Sequence, residues 1–281
     1  MIDIILCSYN SSNVIDECIN SILKQTYERF NLFVFDDFSS DDTVSKIRKY
    51  KDPRITLISS KRNVGTYAAK NFVLKNYCRS KYVALHDSDD YSDTTRLEKQ
   101  YNFAELHDAV CVGTAVNEFW DGHAPHTISD QKATCNERVN IYPDVLKRED
   151  LKGVLRSLTR DGIYEEYLKF KFCMNGTVLF KRDILEKLGG WDGRTRIAAD
   201  TDIFIRILGI QEIHNIPEPL YNRRFHPKSL TASNKLGINS KERKEYNLNR
   251  RPVVEESIGG SPIVRDLYYP EIEYEVIKCA E

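Results

Sequence analysis

Over about its first hundred residues the chain repeats one pattern: a short apolar run, a polar or acidic stop, then apolar residues at helical spacing. Ile2-Asp3-Ile4-Ile5-Leu6-Cys7, Asn31-Leu32-Phe33-Val34-Phe35, Ile55-Thr56-Leu57-Ile58 and Val83-Ala84-Leu85 read as buried strands. Between the first two, Ser11, Ser12 or Asn13 can cap a helix that carries Val14, Ile15, Cys18, Ile19, Ile22 and Leu23 on one face. Val44 and Ile47 mark a short second helix, and a third runs from Tyr67 to Tyr77. Strands alternating with helices predict an α/β fold: a mostly parallel central sheet with right-handed crossovers, flanked by helices. Ligands of such sheets gather at the carboxyl ends of the strands. Those ends carry Ser8-Tyr9-Asn10, Asp36-Asp37 and Asp87-Ser88-Asp89-Asp90.

The last of these clusters has the sharpest chemistry. Three carboxylates on one turn repel one another unless a cation joins them, and an all-oxygen cluster suits Mg²⁺ or Mn²⁺, which take one or two carboxylates and fill their shells with water and phosphate. That chemistry points to a nucleoside diphosphate. A solvated acidic turn at the start of the next helix is the plainer alternative.

Composition narrows the partners. With 41 basic and 42 acidic residues there is no electrostatic footprint for nucleic acid or an anionic membrane surface. Seven scattered cysteines without a Cys-x-x-Cys pair argue against a disulfide framework or a zinc site, so a reducing, cytoplasmic setting is expected. The start of the chain lacks the basic and apolar parts of a signal peptide, and no run approaches a membrane span.

Further along, Val110 to Val116 reads as a strand, and residues 121–170 lose clean periodicity apart from a helix expected over Val145 to Leu158. Gly176 to Phe180 reads as a strand, and Ile184, Leu185 and Leu188 lie on a helix closed by Gly189-Gly190. A last helix begins at Asp200-Thr201-Asp202, with acids at its positive end. The charged stretch Lys241-Glu242-Arg243-Lys244 reads as a solvated helix face, and the tail carries no legible function.

Taken in order, several segments resemble the family 2 glycosyltransferases: Cys7-Ser8-Tyr9-Asn10; Phe35 to Thr43; Asn63-Val64-Gly65 with Ala69-Lys70-Asn71; Leu85 to Asp90 with Arg96-Leu97; Gly189-Gly190-Trp191-Asp192; Ala199-Asp200-Thr201-Asp202 with Arg206; and Tyr221 to His226 with Ser229 and Thr231. The likeness implies a GT-A fold over residues 1–232, with a nucleotide-binding half at 1–108, an acceptor-binding half at 109–232 that holds the 121–170 insertion, and a C-terminal extension at 233–281. It also implies an inverting transfer from a nucleotide-diphosphate sugar, with UDP the expected nucleotide, to a hydroxyl of a glycan or glycolipid. Peripheral membrane association through a lipid-linked acceptor would follow. Asp200 would be the general base, Asp89 and His226 would hold Mn²⁺ or Mg²⁺, and Ser8, Tyr9, Asp37, Lys70, Asp87 and Ser88 would contact the donor. Trp191 would floor the acceptor site, offering its face to sugar C–H groups.

The sequence departs from the family pattern where Phe38 and Asp42 replace glycines, Lys70 replaces Arg, Ala199 replaces Glu and Cys7 replaces a hydroxyl residue. A dinucleotide-dependent oxidoreductase is disfavoured because no Gly-x-Gly-x-x-Gly follows the first strand. A phosphatase would want its Asp-x-Asp after that strand rather than the fourth. Two alternatives stay open: a nucleotidyltransferase on a related sheet, and an inactive domain that only binds sugar nucleotide or glycan.

Overall fold

The computed structural model describes residues 1–120, 137–157, 172–226 and 240–279, together with residues 229 and 237. Of the 121–170 insertion, only 137–157 falls among the described residues. In chain order the elements are β1 (Ile2–Ser8), α1 (Ile15–Leu23), β2 (Phe30–Asp36), α2 (Thr43–Ile47), β3 (Ile55–Ser60), α3 (Thr66–Asn76), β4 (Tyr82–Asp87), β5 (Tyr91–Ser92) and α4 (Arg96–His107). Then come β6 (Cys111–Trp120), β7 (Glu137–Asn140), β8 (Val145–Leu146), α5 (Leu151–Ser157), β9 (Leu179–Lys181), α6 (Arg182–Lys187), α7 (Ala199–Leu208), β10 (Ile213–Phe225), α8 (Lys241–Leu248), α9 (Arg251–Ile258) and β11 (Tyr274–Lys278).

The expected parallel sheet is present as β3-β2-β1-β4. Its strands are apolar on both sides because both sides are covered. Ile5, Phe33, Phe35, Val83 and Leu85 point into one core with Phe72, Trp191 and Phe204, while Ile4, Leu6, Leu32, Val34 and Ala84 point into another with Ile15, Ile19 and Leu97. Helix α1 meets the second core with Ile15, Cys18, Ile19 and Ile22, the one-face spacing of an amphipathic helix. Helix α3 is wedged deep on the opposite side, and every residue from Tyr67 to Leu74 is buried.

Beyond β4 the sheet becomes mixed. β9 runs antiparallel to both β4 and β6, whereas β10 runs parallel to β6 and antiparallel to β5. The helix expected from Val145 starts at Leu151, because Val145 and Leu146 pair with His214 and Ile213 on β10 instead. The tail returns to the sheet: β11 lies antiparallel along β3 and extends that edge.

Candidate functional site

Strand β4 delivers Asp87 to the mouth of the sheet, and the turn after it presents Ser88, Asp89 and Asp90. These acids do different jobs. Asp90 is buried and accepts the backbone N–H of Arg224 at 2.7 Å. Burial, followed by the charges of Asp89 and Asp87, pushes its carboxyl well above the usual range. Burial also raises Asp87, opposed first by Lys70 and reinforced by Asp89. Ser88 exchanges a 2.8 Å hydrogen bond with Ser11 and lines the cleft. Behind the turn, the buried Arg96 guanidinium donates to the carbonyls of Leu85 (3.3 Å) and Gly176 (2.9 Å), which fixes the strand end from below.

Strand β10 brings the closing segment to this turn. Tyr221 and Asn222 pair with Ser92 and Tyr91 of β5, placing the Tyr221 hydroxyl 3.1 Å from the Asp87 N–H that donates to it. At the end of the strand, His226 Nε2 lies 3.0 Å from Asp89 Oδ2, although 137 residues separate the two. The expected metal pair is therefore adjacent.

The opposite wall comes from α3 and the start of α7. A cleft of about 420 Å³ is lined by Asp87, Ser88 and Asp89 on one side and by Tyr67, Lys70 and Asp200 on the other. Lys70 is not a surface residue with a packed stem. It is 1% exposed, its Nζ lies 5.6 Å from the Tyr67 ring centre and 6.0 Å from that of Trp191, and no ion pair engages it among the described residues. Asp200 sits in the first turn of α7 but does not cap it; Ala198, at φ 53°, is the capping residue. The Tyr67 hydroxyl donates to Asp200 Oδ1 at 3.3 Å and Thr201 N–H to the same oxygen at 3.0 Å, so Oδ2 is left without a donor among the described residues.

Trp191 corrects the sequence reading. Its ring is 0% exposed, packs edge to face on Phe180 at 6.0 Å, and lies beneath Lys70 in the core, so it offers no face to a sugar. Asn71 pins the Trp191 backbone through both its N–H (2.9 Å) and its carbonyl (2.8 Å). Ser8 also departs from expectation. Its hydroxyl is buried and directed to Asp36 at 3.4 Å rather than to the cleft. Asp37 is buried too, and its two oxygens accept the N–H groups of Val64 (2.6 Å) and Gly65 (2.8 Å), anchoring the loop between β3 and α3. Tyr9 is open to solvent at the tip of β1, outside the cleft.

Several residues of the cleft were not foreseen: Tyr67, Tyr142, Asn175, Arg223 and Arg243. Tyr67 was findable, since it precedes Lys70 by three positions and shares its helix face. Arg243 carried no signal, because it stands in a charged run that reads as solvated.

The donor set fits a divalent ion that keeps much of its shell for substrate. Asp89 and His226 lie within 3.0 Å of each other, and among the described residues no group of three or more His, Cys, Asp or Glu is placed to hold a metal ion, so the protein would supply this pair alone. A hard ion taking one carboxylate, one imidazole, water and phosphate oxygens needs no such group.

Comparison with known proteins bears on the fold and the family. Over 105 residues the chain is 38% identical to the UDP-Glc:alpha-D-GlcNAc-diphosphoundecaprenol beta-1,3-glucosyltransferase WfaP of Escherichia coli, an alignment that covers 37% of this chain and 41% of that protein. The match therefore spans about two fifths of that relative's length. Residues 1–349 of S. aureus TarS, solved with UDP-GlcNAc, superpose with a TM-score of 0.60 at 16% identity, covering 91% of this chain and 72% of that one. The mannosyltransferase PcManGT from Pyrobaculum calidifontis, solved with GDP-Man and Mn²⁺, gives 0.52 at 19% identity, covering 79% and 56%. These likenesses establish the GT-A fold. The sequence profile of Glycosyl transferase family 2 matches residues 3–189, and the chain belongs to that family.

Proposed function

We propose that the chain is an inverting glycosyltransferase that moves a sugar from a UDP-sugar to a hydroxyl of a glycan or glycolipid, with Asp200 as general base. The observation that carries this reading is the placement of Asp200, its Oδ2 unengaged among the described residues, across one cleft from Asp87 and Asp89. In this scheme Asp200 accepts the proton of the acceptor hydroxyl as its oxygen attacks the anomeric carbon. Tyr67 holds the carboxylate by Oδ1 and leaves Oδ2 to receive that proton. Attack from the side opposite the departing diphosphate inverts the anomeric centre. Lys70, a buried cation in the cleft wall, draws the diphosphate to that side. A divalent ion held by Asp89 and His226 would supply positive charge to the leaving group.

The preference for UDP rests on the named substrates of WfaP and on the ligand of TarS. A diphosphate-linked lipid acceptor, as named for WfaP, would present its polar diphosphate and sugar at the membrane surface. A screen of UDP-sugars for Mn²⁺-dependent transfer or hydrolysis tests the reading. Asp89→Ala should abolish metal-supported donor binding. Asp200→Asn should keep donor binding and lower turnover by about 10²–10⁴-fold. Full transfer by both variants would refute the assigned roles.

A further inference from the structure

The tail beyond residue 232, past the segments that carry the family likeness, returns to the cleft as well as to the sheet edge. Helix α8 reads as a solvated charged helix, yet its two faces differ. Lys241 and Glu245 pair at 3.7 Å with side chains 86% and 61% exposed, whereas Arg243 and Tyr246 are half-buried and Asn247 is buried. Residues three and four apart share a helix face, so Arg243, Tyr246 and Asn247 form the inward one.

That face is fixed in place. Ser240 caps the helix, its Oγ accepting the Arg243 N–H at 3.2 Å. The Tyr246 hydroxyl donates to Asp192 Oδ2 at 3.2 Å, and the Arg250 guanidinium lies 5.0 Å from the Tyr246 ring centre. Asp192 also faces Arg265 at 3.6 Å and belongs to the loop that leads into α7. Helix α8 is thereby docked beside the element that carries Asp200, and Arg243, one turn before Tyr246, lines the same cleft as Asp200 and Tyr67.

The cleft's other cations serve other walls. Arg223 pairs with Glu118 at 3.2 Å, and Arg224 pairs with Glu17 and donates to the Asp89 carbonyl at 3.0 Å, so both brace β10. Of the charges around Asp87, which burial raises, that of Lys70 acts most strongly. Arg243 belongs with the base instead: burial and then the Asp200 charge raise the Tyr67 hydroxyl, and Arg243 is the first charge to oppose them. Lys70 and the ion of the Asp89–His226 pair would meet the donor diphosphate, so a guanidinium on the side of the base has the acceptor before it. Its planar fork matches phosphate oxygens two at a time.

We propose that Arg243 binds a phosphate group of the acceptor, close to the hydroxyl that Asp200 deprotonates, so that the chain takes a phosphate-bearing acceptor in preference to a neutral glycan. The assignment rests on the glycosyl-transfer reading above and narrows its acceptor.

The test uses the full chain saturated with UDP and Mn²⁺, which fill the donor side, titrated with octyl diphosphate and with glycerol 3-phosphate. The parent should bind a phosphate probe, and Arg243→Gln should weaken that binding about 10–100-fold. Arg243→Lys, which keeps the charge, should retain part of it, and Lys241→Gln on the outward face should match the parent. UDP affinity, measured beforehand, should be the same in all four proteins. Tighter binding of octyl diphosphate would identify a diphosphate-linked lipid as the source of the phosphate, and tighter binding of glycerol 3-phosphate a polyol phosphate chain. A parent that binds neither probe, or Arg243→Gln binding them as the parent does, would overturn the assignment while leaving the function intact. Loss of UDP affinity in Arg243→Gln would overturn it too, by giving the guanidinium to the donor. Failure of the parent chain to bind UDP would overturn the function, and this assignment with it.

Discussion

Gly176 decides how closely the turn before β9 can approach the acid cluster. A Cβ there would lie 2.7 Å from Asp87 Oδ2 and 2.5 Å from the Tyr221 hydroxyl oxygen, too close for either atom to stay in place. Gly176→Ala should therefore cost about 1–3 kcal/mol of stability and, by displacing Asp87, weaken nucleotide binding; thermal denaturation and UDP titration measure the two effects. His86, on the same strand, governs pH behaviour instead. Its Nδ1 faces the Asp87 carbonyl at 2.8 Å and must donate; with the ring kept neutral by burial, Nε2 accepts from Ser92 Oγ at 2.9 Å. Burial, then the Arg96 charge, pushes its pKa down to about 3. The unfolded chain binds a proton at this residue below about pH 6.5, but the folded chain does not until about pH 3. This histidine therefore costs stability as pH falls through that window, by up to about 1.4 kcal/mol per pH unit. Asp87 and Asp90, raised by burial, act in the opposite sense. The difference between parent and His86→Asn isolates the effect: between pH 6.5 and 4 the parent should lose stability more steeply in urea denaturation. No acidic steepening relative to the variant would mean that the ring is charged in the folded state.

Helix α7 is set in place by an ionic cluster that reaches it from the tail. Asp202, fully buried, accepts from Arg206 at 2.8 Å and from Arg265 at 2.6 and 2.9 Å, while Arg206 also donates to the carbonyls of Leu188 and Gly190. Burial alone would raise Asp202, but the Arg265 hydrogen bonds and the charges of Arg206, Arg265 and Arg250 outweigh it and hold the carboxyl below its usual range. Arg265→Ala removes two of the hydrogen bonds to that buried carboxylate and should cost about 3 kcal/mol. Because Asp202 lies two residues past Asp200, turnover should fall more than donor affinity does, a split visible in kcat against the Kd for UDP. This tie was not legible in the sequence, since Arg265 lies 63 residues from Asp202 in a stretch with no periodicity. The early strands were legible, because a strand buried on both faces must be apolar throughout. Asp87 and Asp89 stood out as acids at the carboxyl end of a strand, whereas Asp200 and His226 were singled out only by the family resemblance; the fold places Asp87, Asp89 and Asp200 on one cleft and His226 beside Asp89. Strand β10 was hidden by Pro217 and Pro219, residues that argue against a strand; the sheet absorbs them as register shifts between Ile216 and Tyr221. Trp191 was misplaced because an aromatic can equally line a site or fill a core, and only its neighbours decide.

At the scale of the molecule, the last strand protects an edge that the alternating strands and helices would otherwise leave open. β3 has β2 on one side only, and its other side is covered by β11, in register from Thr56 with Lys278 to Ser60 with Tyr274. Further bonds tie down the ends: Lys61 N–H donates to the Glu273 carbonyl at 2.8 Å, Cys279 N–H to the Ile55 carbonyl at 3.3 Å, and Arg48 pairs with Glu275 at 2.8 Å. The exposed Arg48–Glu275 pair contributes little on its own, by general experience of surface ion pairs, so the backbone ladder and the burial of Ile272 and Cys279 must supply most of the hold. The consequence lies in assembly rather than in chemistry. Asp89, His226 and Asp200 belong to other elements, so removing residues 271–281 should leave UDP binding within about twofold while baring β3 as an unpaired edge of Ile55, Leu57 and Ile58, a template for pairing with another chain. Light scattering after size exclusion should show the shortened chain associating as concentration rises where the full chain does not, and hydrogen exchange should show the amides of β3 losing protection first. A shortened chain that stays monomeric with β3 still protected would mean that side-chain packing, not strand pairing, guards this edge.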